Sequence, residues 1–401
     1  MRVLQINQTC GTGSTGKIAV NLGNVLKENG HENYIAYGYY DTKEENTLKL
    51  KAGKTKYSFL IEVLKCCITG YYGFTSKRAT KKLIKWIGKI QPDIIHLHNI
   101  HGGFAHIEVL FEYLSEKNIP VVWTLHDCWS FTGHCSHFKL VNCDKWKTGC
   151  YKCPEKENYP KRYFFDRSKE QYERKKKAFT SVKNMTFITP SKWLADLVKE
   201  SYFKNYSVYT INNGIDLSMF KPTENKIKEK LGIESKKMIL GVQMAWGKRK
   251  GLDYIIEISK KISSEYKIVL VGLNERQLKQ IPDNIIGLPK TKTQKELVEY
   301  YSAADVFINT TLEENFPTVN LEAVACGTPV VTFDTGGCKE TINEFCGRIV
   351  EPKNTDAMIS AIENIVKLDT FEHCMEWRNN FNKFSRYEDY IQMYKMILEK
   401  G

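Results

Sequence analysis

Short apolar runs alternate with helical periods along almost the whole of this chain, and that alternation constrains the fold more than any other feature. "RVLQI", "NYIAYG", "DIIHLHN", "PVVWTLHD", "MTFITPS" and "SVYTINNG" in the first half read as buried strands. "KMILGVQ", "YKIVLVG", "IIGLP", "VFINT" and "PVVTF" repeat the theme in the second half. Amphipathic helical stretches such as "GLDYIIEISKKIS" and "QKELVEYYSAAD" fall between them. Strands joined by helices form parallel sheets through right-handed crossovers. A chain of 401 residues exceeds one comfortable core. Two runs of the pattern therefore predict α/β architecture with two doubly wound, Rossmann-like domains.

Turn residues cluster in "NNGIDLSMFKPTENK", so the join is expected there. The predicted division is 1–215, 216–385, and a last helix over 386–401 that crosses back to the first domain. The opening "MRVLQINQTC" reads as a strand and lacks the apolar core of a secretion signal. No apolar run reaches the ~18 residues of a membrane span. These features imply a cytoplasmic protein.

Ligands of open parallel sheets bind beyond the carboxyl ends of the strands. At one such end stands "TTLEENFPTVNLEAVACGTPVV", residues 310–331. Glu314 falls in a loop, Pro317 suits a first helical turn, Glu322 lies about one turn inside, and Gly327 stops the helix. Both glutamates are thus expected to face one cleft, beside the free amides of a helix start, which favour an anion. A carboxylate accepts two hydrogen bonds and so matches a vicinal diol. Diol and phosphate together describe a nucleotide-sugar.

The segment resembles the Glu-x7-Glu signature of the retaining glycosyltransferases of family four, which have the two-domain GT-B fold. "TPSKWLAD" (189–196), "INNGIDLSMFKP" (211–222), "RKGLDY" (249–254), "AADVFINT" (303–310) and "DTGGCKETI" (334–342) extend the resemblance along nearly the whole chain. It is most similar to the subgroup found in capsule and exopolysaccharide clusters. The resemblance implies two domains facing a cleft and a sugar donor of the UDP or GDP type. It implies a saccharide or lipid-linked saccharide acceptor, and retention by leaving-group-assisted, same-face attack. It assigns donor contacts to Glu314, Asn315, Phe316, Pro317, Thr318 and Glu322, with Glu314 also catalytic. A nucleotide-sugar epimerase or hydrolase on the same fold is the alternative enzyme class.

"GTGSTGK", residues 11–17, fits a phosphate-binding P-loop, which would make the chain an NTPase. Ile18, however, stands where a Ser or Thr must hold Mg²⁺. By resemblance, Gly13, Ser14, Thr15 and Gly16 instead form the first-domain loop facing the donor diphosphate. "VVWTLHDCW" puts His126 at a strand tip, where it resembles the family histidine between donor sugar and acceptor. His96, His98 and His101 could line the same cleft.

A departing diphosphate gains negative charge, which fixed cations stabilise. "WGKRKG" offers Arg249 and Lys250. The family carries an arginine a few residues earlier, where this chain has Ala245 and Trp246, so Arg249 is assigned that role. With cations present, no metal is expected in catalysis.

Two features remain. Residues 51–90 hold ten Lys or Arg against one acid, Glu62, a net +9 of the chain's +13, interleaved with apolar residues. That suits peripheral contact with an anionic membrane or an anionic substrate; a solvated helix face is the plainer reading. Nucleic acid is not expected as a partner, because Glu314, Glu322 and His126 would be pointless in a binder of polyanions. Cys135, Cys143, Cys150 and Cys153 are spaced C-x7-C-x6-C-x2-C within an insertion at 134–154. Structural zinc, free thiols and redox pairing all fit that spacing; zinc is taken as the expectation.

Overall fold

The computed structural model describes residues 1–50, 58–155, 157, 160 and 165–400. It divides into one unit of Met1–Ile211 with Tyr387–Gly401, and a second of Asn212–Arg386.

The first unit is built on seven strands: β1 (Arg2–Thr9), β2 (Glu32–Tyr39), β3 (Thr47–Lys49), β4 (Ile94–Leu97), β5 (Val121–Thr124), β6 (Met185–Thr189) and β7 (Ser207–Thr210). All pair in parallel, in the order β3-β2-β1-β4-β5-β6-β7. Its helices are α1 (Gly13–Glu28), α2 (Ser58–Thr69), α3 (Lys77–Ile90), α4 (Ile107–Glu116), α5 (Ser168–Phe179) and α6 (Lys192–Glu200). Helix α1 shows why such elements dock. Ala19, Leu22 and Leu26 recur at helical spacing and are all fully buried. Each large aliphatic side chain so removed from water contributes about 1.5–3 kcal/mol.

The second unit carries β8 (Lys237–Val242), β9 (Tyr266–Val271), β10 (Ile285–Leu288), β11 (Val306–Asn309), β12 (Val330–Phe333) and β13 (Gly347–Val350). Their order is β10-β9-β8-β11-β12-β13, again all parallel. Helices α7 (Ile227–Lys230), α8 (Leu252–Lys261), α9 (Glu275–Leu278), α10 (Gln294–Ala303), α11 (Thr318–Ala325), α12 (Thr355–Ile365) and α13 (Phe371–Trp377) flank it.

The last helix, α14 (Lys383–Lys400), begins in the second unit and ends in the first. Its Tyr387, Tyr390, Ile391 and Tyr394 pack with Val3, Leu22, Leu26 and Val122 of the first unit. That packing gives an apolar reason for residues 387–400 to belong with the first unit.

All eleven strands read from the sequence are present. Two were missed, β3 and β13. "TLK" is only three residues long, and "GRIV" carries a glycine and a charge, so neither gives an apolar run. Among the described residues, no helix is long and apolar enough to cross a membrane.

Each sheet changes direction once. In the first unit the winding reverses between β1 and β4, and in the second between β8 and β11. Such switch points open a crevice at the strands' carboxyl ends. The residues singled out by the sequence follow these strands.

Candidate active site

In the second unit the loop after β8 brings Lys248, Arg249 and Lys250 to the switch point, and the loop after β11 brings Glu313 and Glu314. The Lys250 ammonium forms an ion pair with Oε2 of Glu314. The Glu314 Oε1 accepts from the Asn315 amide at 3.1 Å. Nη1 of Arg249 donates to the Glu313 carbonyl at 2.8 Å, and the Leu312 amide donates to the Arg249 carbonyl at 2.9 Å. Two loops are thereby laced into one cationic and acidic rim.

Two glycines make this close approach feasible. Gly251 has φ +71°, and a Cβ there would overlap the Thr310 carbonyl; Gly336 has φ +58°, and a Cβ there would overlap the Glu314 carbonyl. Any other residue would carry both left-handed strain and a backbone clash. The "RKG" and "DTGG" motifs therefore clamp the glutamate loop from two sides.

Pro317 precedes α11 directly, and Thr318 opens it, as the sequence indicated. Phe316 is buried in the second unit's core. It anchors the loop and offers no polar atom of its side chain to a ligand. Glu322 lies half-buried on α11, where its Oε2 accepts from the Tyr301 hydroxyl at 2.9 Å. Tyr301 is fully buried, and burial together with the Glu322 charge pushes its phenol well above the usual range. The sequence reading missed Tyr301, which looked like any aromatic on a helix. Trp246 is buried, with its indole N–H on the Val271 carbonyl at 2.9 Å. It cannot reach outward in place of an arginine.

In the first unit, Gly13, Ser14, Thr15 and Gly16 form the first turn of α1, just after β1. Gly13 and Ser14 are exposed, whereas Gly16 is buried against Thr9. Asn7 Nδ2 approaches Thr15 Oγ1 at 3.4 Å. Gly16 thus serves helix packing, and the exposed amides belong to Gly13 and Ser14.

His126 follows β5, and its Nε2 lies 3.2 Å from Nδ1 of His98, which follows β4. The two rings lie near-parallel with centroids 5.5 Å apart, and the His96 ring, tilted by 38°, lies 4.0 Å from that of His98. The deep end of this column is tied to Thr124 Oγ1 (2.7 Å) and the Tyr394 hydroxyl (2.6 Å), both on His96. Burial disfavours the charged rings. It lowers His126 to about 4, with Asp127 opposing the shift and His101 reinforcing it, and His96 to about 3.

Asp127 is bonded beside this column. Its Oδ2 meets Nε2 of His101 at 3.0 Å, and its Oδ1 accepts the Trp129 amide at 2.8 Å. Burial opposes ionisation, but His101 and that amide outweigh it and hold the carboxyl at about 2. Fully buried Lys175 donates to the Trp129 carbonyl at 2.6 Å. These contacts fix the turn beyond His126.

Cys135, Cys143, Cys150 and Cys153 do gather, lining one cavity of about 10 Å³. The Cys135 and Cys153 thiols hydrogen-bond to each other, and the Gly133 amide donates to Cys150 Sγ at 3.1 Å. Yet among the described residues no three His, Cys, Asp or Glu are arranged to hold a metal. The zinc expectation finds no support in this arrangement. None of the four is in a disulfide, and they pack against the first unit's apolar core.

Two parallel α/β units, each with a switch point, are the architecture of the GT-B fold. A family model described as Glycosyltransferase Family 4 matches residues 15–219, about half of the chain, and one described as Glycosyl transferases group 1 matches residues 223–384. The chain belongs to glycosyltransferase family 4, which excludes the P-loop NTPase alternative. It is similar to a putative colanic acid biosynthesis glycosyl transferase, WcaC, of Escherichia coli, at 21% identity over 99% of this chain and 100% of that one. A capsular polysaccharide biosynthesis glycosyltransferase of Staphylococcus aureus, CapM, is 26% identical over 47% of this chain and 54% of its own length. Among solved structures, sucrose-phosphate synthase of Thermosynechococcus elongatus shares the fold at TM-score 0.70, with 17% identity and full coverage of both chains. Anabaena HepE in complex with UDP shares it at TM-score 0.67, with 15% identity over 99% of this chain and 100% of that one.

Proposed function

We propose that the chain transfers a sugar from a nucleoside-diphosphate sugar to a saccharide acceptor, with retention and without a divalent metal, in the synthesis of a bacterial surface polysaccharide. The observation that carries this reading is the Lys250–Glu314 ion pair beside Arg249 at the β8/β11 switch point. Arg249, Lys250 and the first amides of α11 supply positive charge for a diphosphate. Glu322 accepts from the ribose diol, and Glu314 from hydroxyls of the transferred sugar. As the anomeric carbon–oxygen bond breaks, its electron pair stays on the diphosphate. The acceptor hydroxyl attacks from the same face and passes its proton to that phosphate oxygen. The relatives WcaC and CapM, and the likeness to HepE with UDP, support the polysaccharide and the UDP-type donor.

A lipid-linked acceptor is part of the same proposal. A relative of 29% identity over 42% of this chain is a galactosyltransferase acting on a diphosphoundecaprenol-linked sugar. The first unit offers a surface to match. Helix α2 exposes Ile61, Leu64 and Ile68 on one face, and α3 exposes Lys77, Arg78, Lys81, Lys82, Lys85 and Lys89. Lys51, Lys54 and Lys56 of the basic window lie outside the described residues.

The test is a thermal-shift panel of UDP-, GDP- and ADP-sugars in EDTA, on the wild type and on Glu322→Ala. One nucleotide class should raise Tm, and the variant should lose that shift. A shift that appears only with added divalent metal, or that survives in the variant, would overturn the assignment.

A further inference from the structure

The histidine column carries directional information, because one of its contacts admits a single reading. Gln5 on β1 is fully buried. Its side-chain nitrogen lies 2.8 Å from the Ala19 carbonyl and 2.8 Å from Asn33 Oδ1. A backbone carbonyl only accepts, so the amide end facing Ala19 must be the NH₂. The other end, Oε1, is therefore the atom 2.9 Å from Nε2 of His98. An amide oxygen only accepts, so His98 Nε2 carries a hydrogen. A neutral imidazole has one N–H, which leaves the lone pair on His98 Nδ1. That lone pair points at His126 Nε2, 3.2 Å away, which must then donate.

We infer that Gln5 and His98 are positioning residues that fix His126 as its Nε2–H tautomer, with the lone pair on Nδ1. Within the proposed function, on which this rests for its relevance, His126 is neutral and keeps its accepting nitrogen at Nδ1. Its only ring proton is spent on His98, so it cannot act as a general acid. This agrees with a mechanism in which the departing phosphate takes the proton.

The surroundings keep the assignment stable. His98 itself is held well below the usual histidine range by burial, with His96 and His126 adding to it. Its own carbonyl accepts from the Trp123 indole at 2.9 Å, which locks the strand end. The other titratable groups near the column are His96 behind His98, Tyr394 and Tyr390 of α14 against His96, and Asp127 with its partner His101 beside His126.

The test is ring-nitrogen NMR of the full-length chain labelled with ¹⁵N-histidine, with signals assigned by loss in His126→Gln and His98→Asn. Between pH 6 and 8, His126 should show a protonated Nε2 and an unprotonated Nδ1. In His98→Leu, which removes the acceptor, the two tautomers should mix, while burial keeps the ring neutral across this range. His98→Asn, whose side-chain oxygen can take the place of Nδ1, should restore the Nε2–H form. A wild-type His126 found as Nδ1–H, or doubly protonated at pH 7, would overturn the inference. So would an unchanged tautomer in a folded His98→Leu. These readouts need no substrate. A failure of the donor panel would leave them standing, and their failure would leave the donor site untouched.

Discussion

Lys250 and Glu314 are held in an ion pair by two loops whose glycines, Gly251 and Gly336, press directly on the glutamate loop's backbone. Both side chains are mostly covered, at 15% and 21% exposure. A pair so placed is preorganised for a ligand that brings both charge and hydroxyls. In the proposed function, Lys250 is the residue that would meet the diphosphate and Glu314 the one that would meet the sugar.

Replacing Lys250 by alanine should therefore do more than remove a surface charge. It should take away a cation from the developing diphosphate charge and leave Glu314 uncompensated. We expect kcat/KM for the donor found by the thermal-shift panel to fall on the order of 10²–10³-fold. A kcat/KM within threefold of wild type would remove Lys250 from the mechanism.

Tyr301 supports Glu322 from inside the core. Tyr301→Phe keeps the ring and deletes one hydrogen bond to a charged group, worth about 1.5–3 kcal/mol. The Glu322 carboxylate then loses its fixed orientation. Nucleotide affinity, read by calorimetry, should weaken about tenfold or more. Unchanged affinity would mean that Glu322 is oriented by its other contacts.

The sequence made the strands legible because parallel strands buried on both faces are nearly uninterrupted apolar runs. The glutamate loop was legible because glycine and proline mark both of its ends. Partnerships across distant segments were not. Nothing in "RVLQI" marks Gln5 as the residue that orients a histidine more than 90 positions away, because a buried polar side chain shows its partner only once the sheet is formed. Tyr301 was hidden for the same reason. The cysteine spacing brought the right four residues together but could not tell a ligand shell from a thiol cluster, since that depends on where each Sγ points.

The histidine column should make the first unit sensitive to mild acid. His96, His98 and His126 all have folded values lowered below the ordinary 6.5. The unfolded chain therefore binds protons below about pH 6.5 that the folded chain refuses. Their stabilising contribution is full above 6.5 and is lost as the pH falls toward 4 and 3. Each ring, fully buried for His96 and His98 and partly for His126, costs at most on the order of 1 kcal/mol per pH unit in that window. Asp127, lowered to about 2 from 3.8, adds a further loss only below 3.8. Melting followed by tryptophan fluorescence should show Tm falling steadily from pH 6.5 to 4.5. A flat profile there would contradict the burial of the column.

Membrane contact can be separated from catalysis, because the basic helix α3 contributes none of the residues assigned to the donor. Charge reversal is unnecessary; neutralising Lys77, Arg78, Lys81, Lys82 and Lys85 to glutamine removes five positive charges, each worth about 1 kcal/mol near an anionic surface. All five are exposed, so the fold should be unaffected. Co-sedimentation with vesicles rich in phosphatidylglycerol should fall by more than tenfold, while the donor-induced thermal shift stays at its wild-type value. Substituting Ile61, Leu64 and Ile68 by serine tests the apolar face of α2 separately. Attraction by charge alone would make binding to the wild type vanish at high salt and leave the serine variant unaffected. Insertion of the apolar face would leave residual binding at high salt, which the serine variant loses. Vesicle binding unchanged in both variants would remove the membrane role and return the charge of α3 to a solvated helix face.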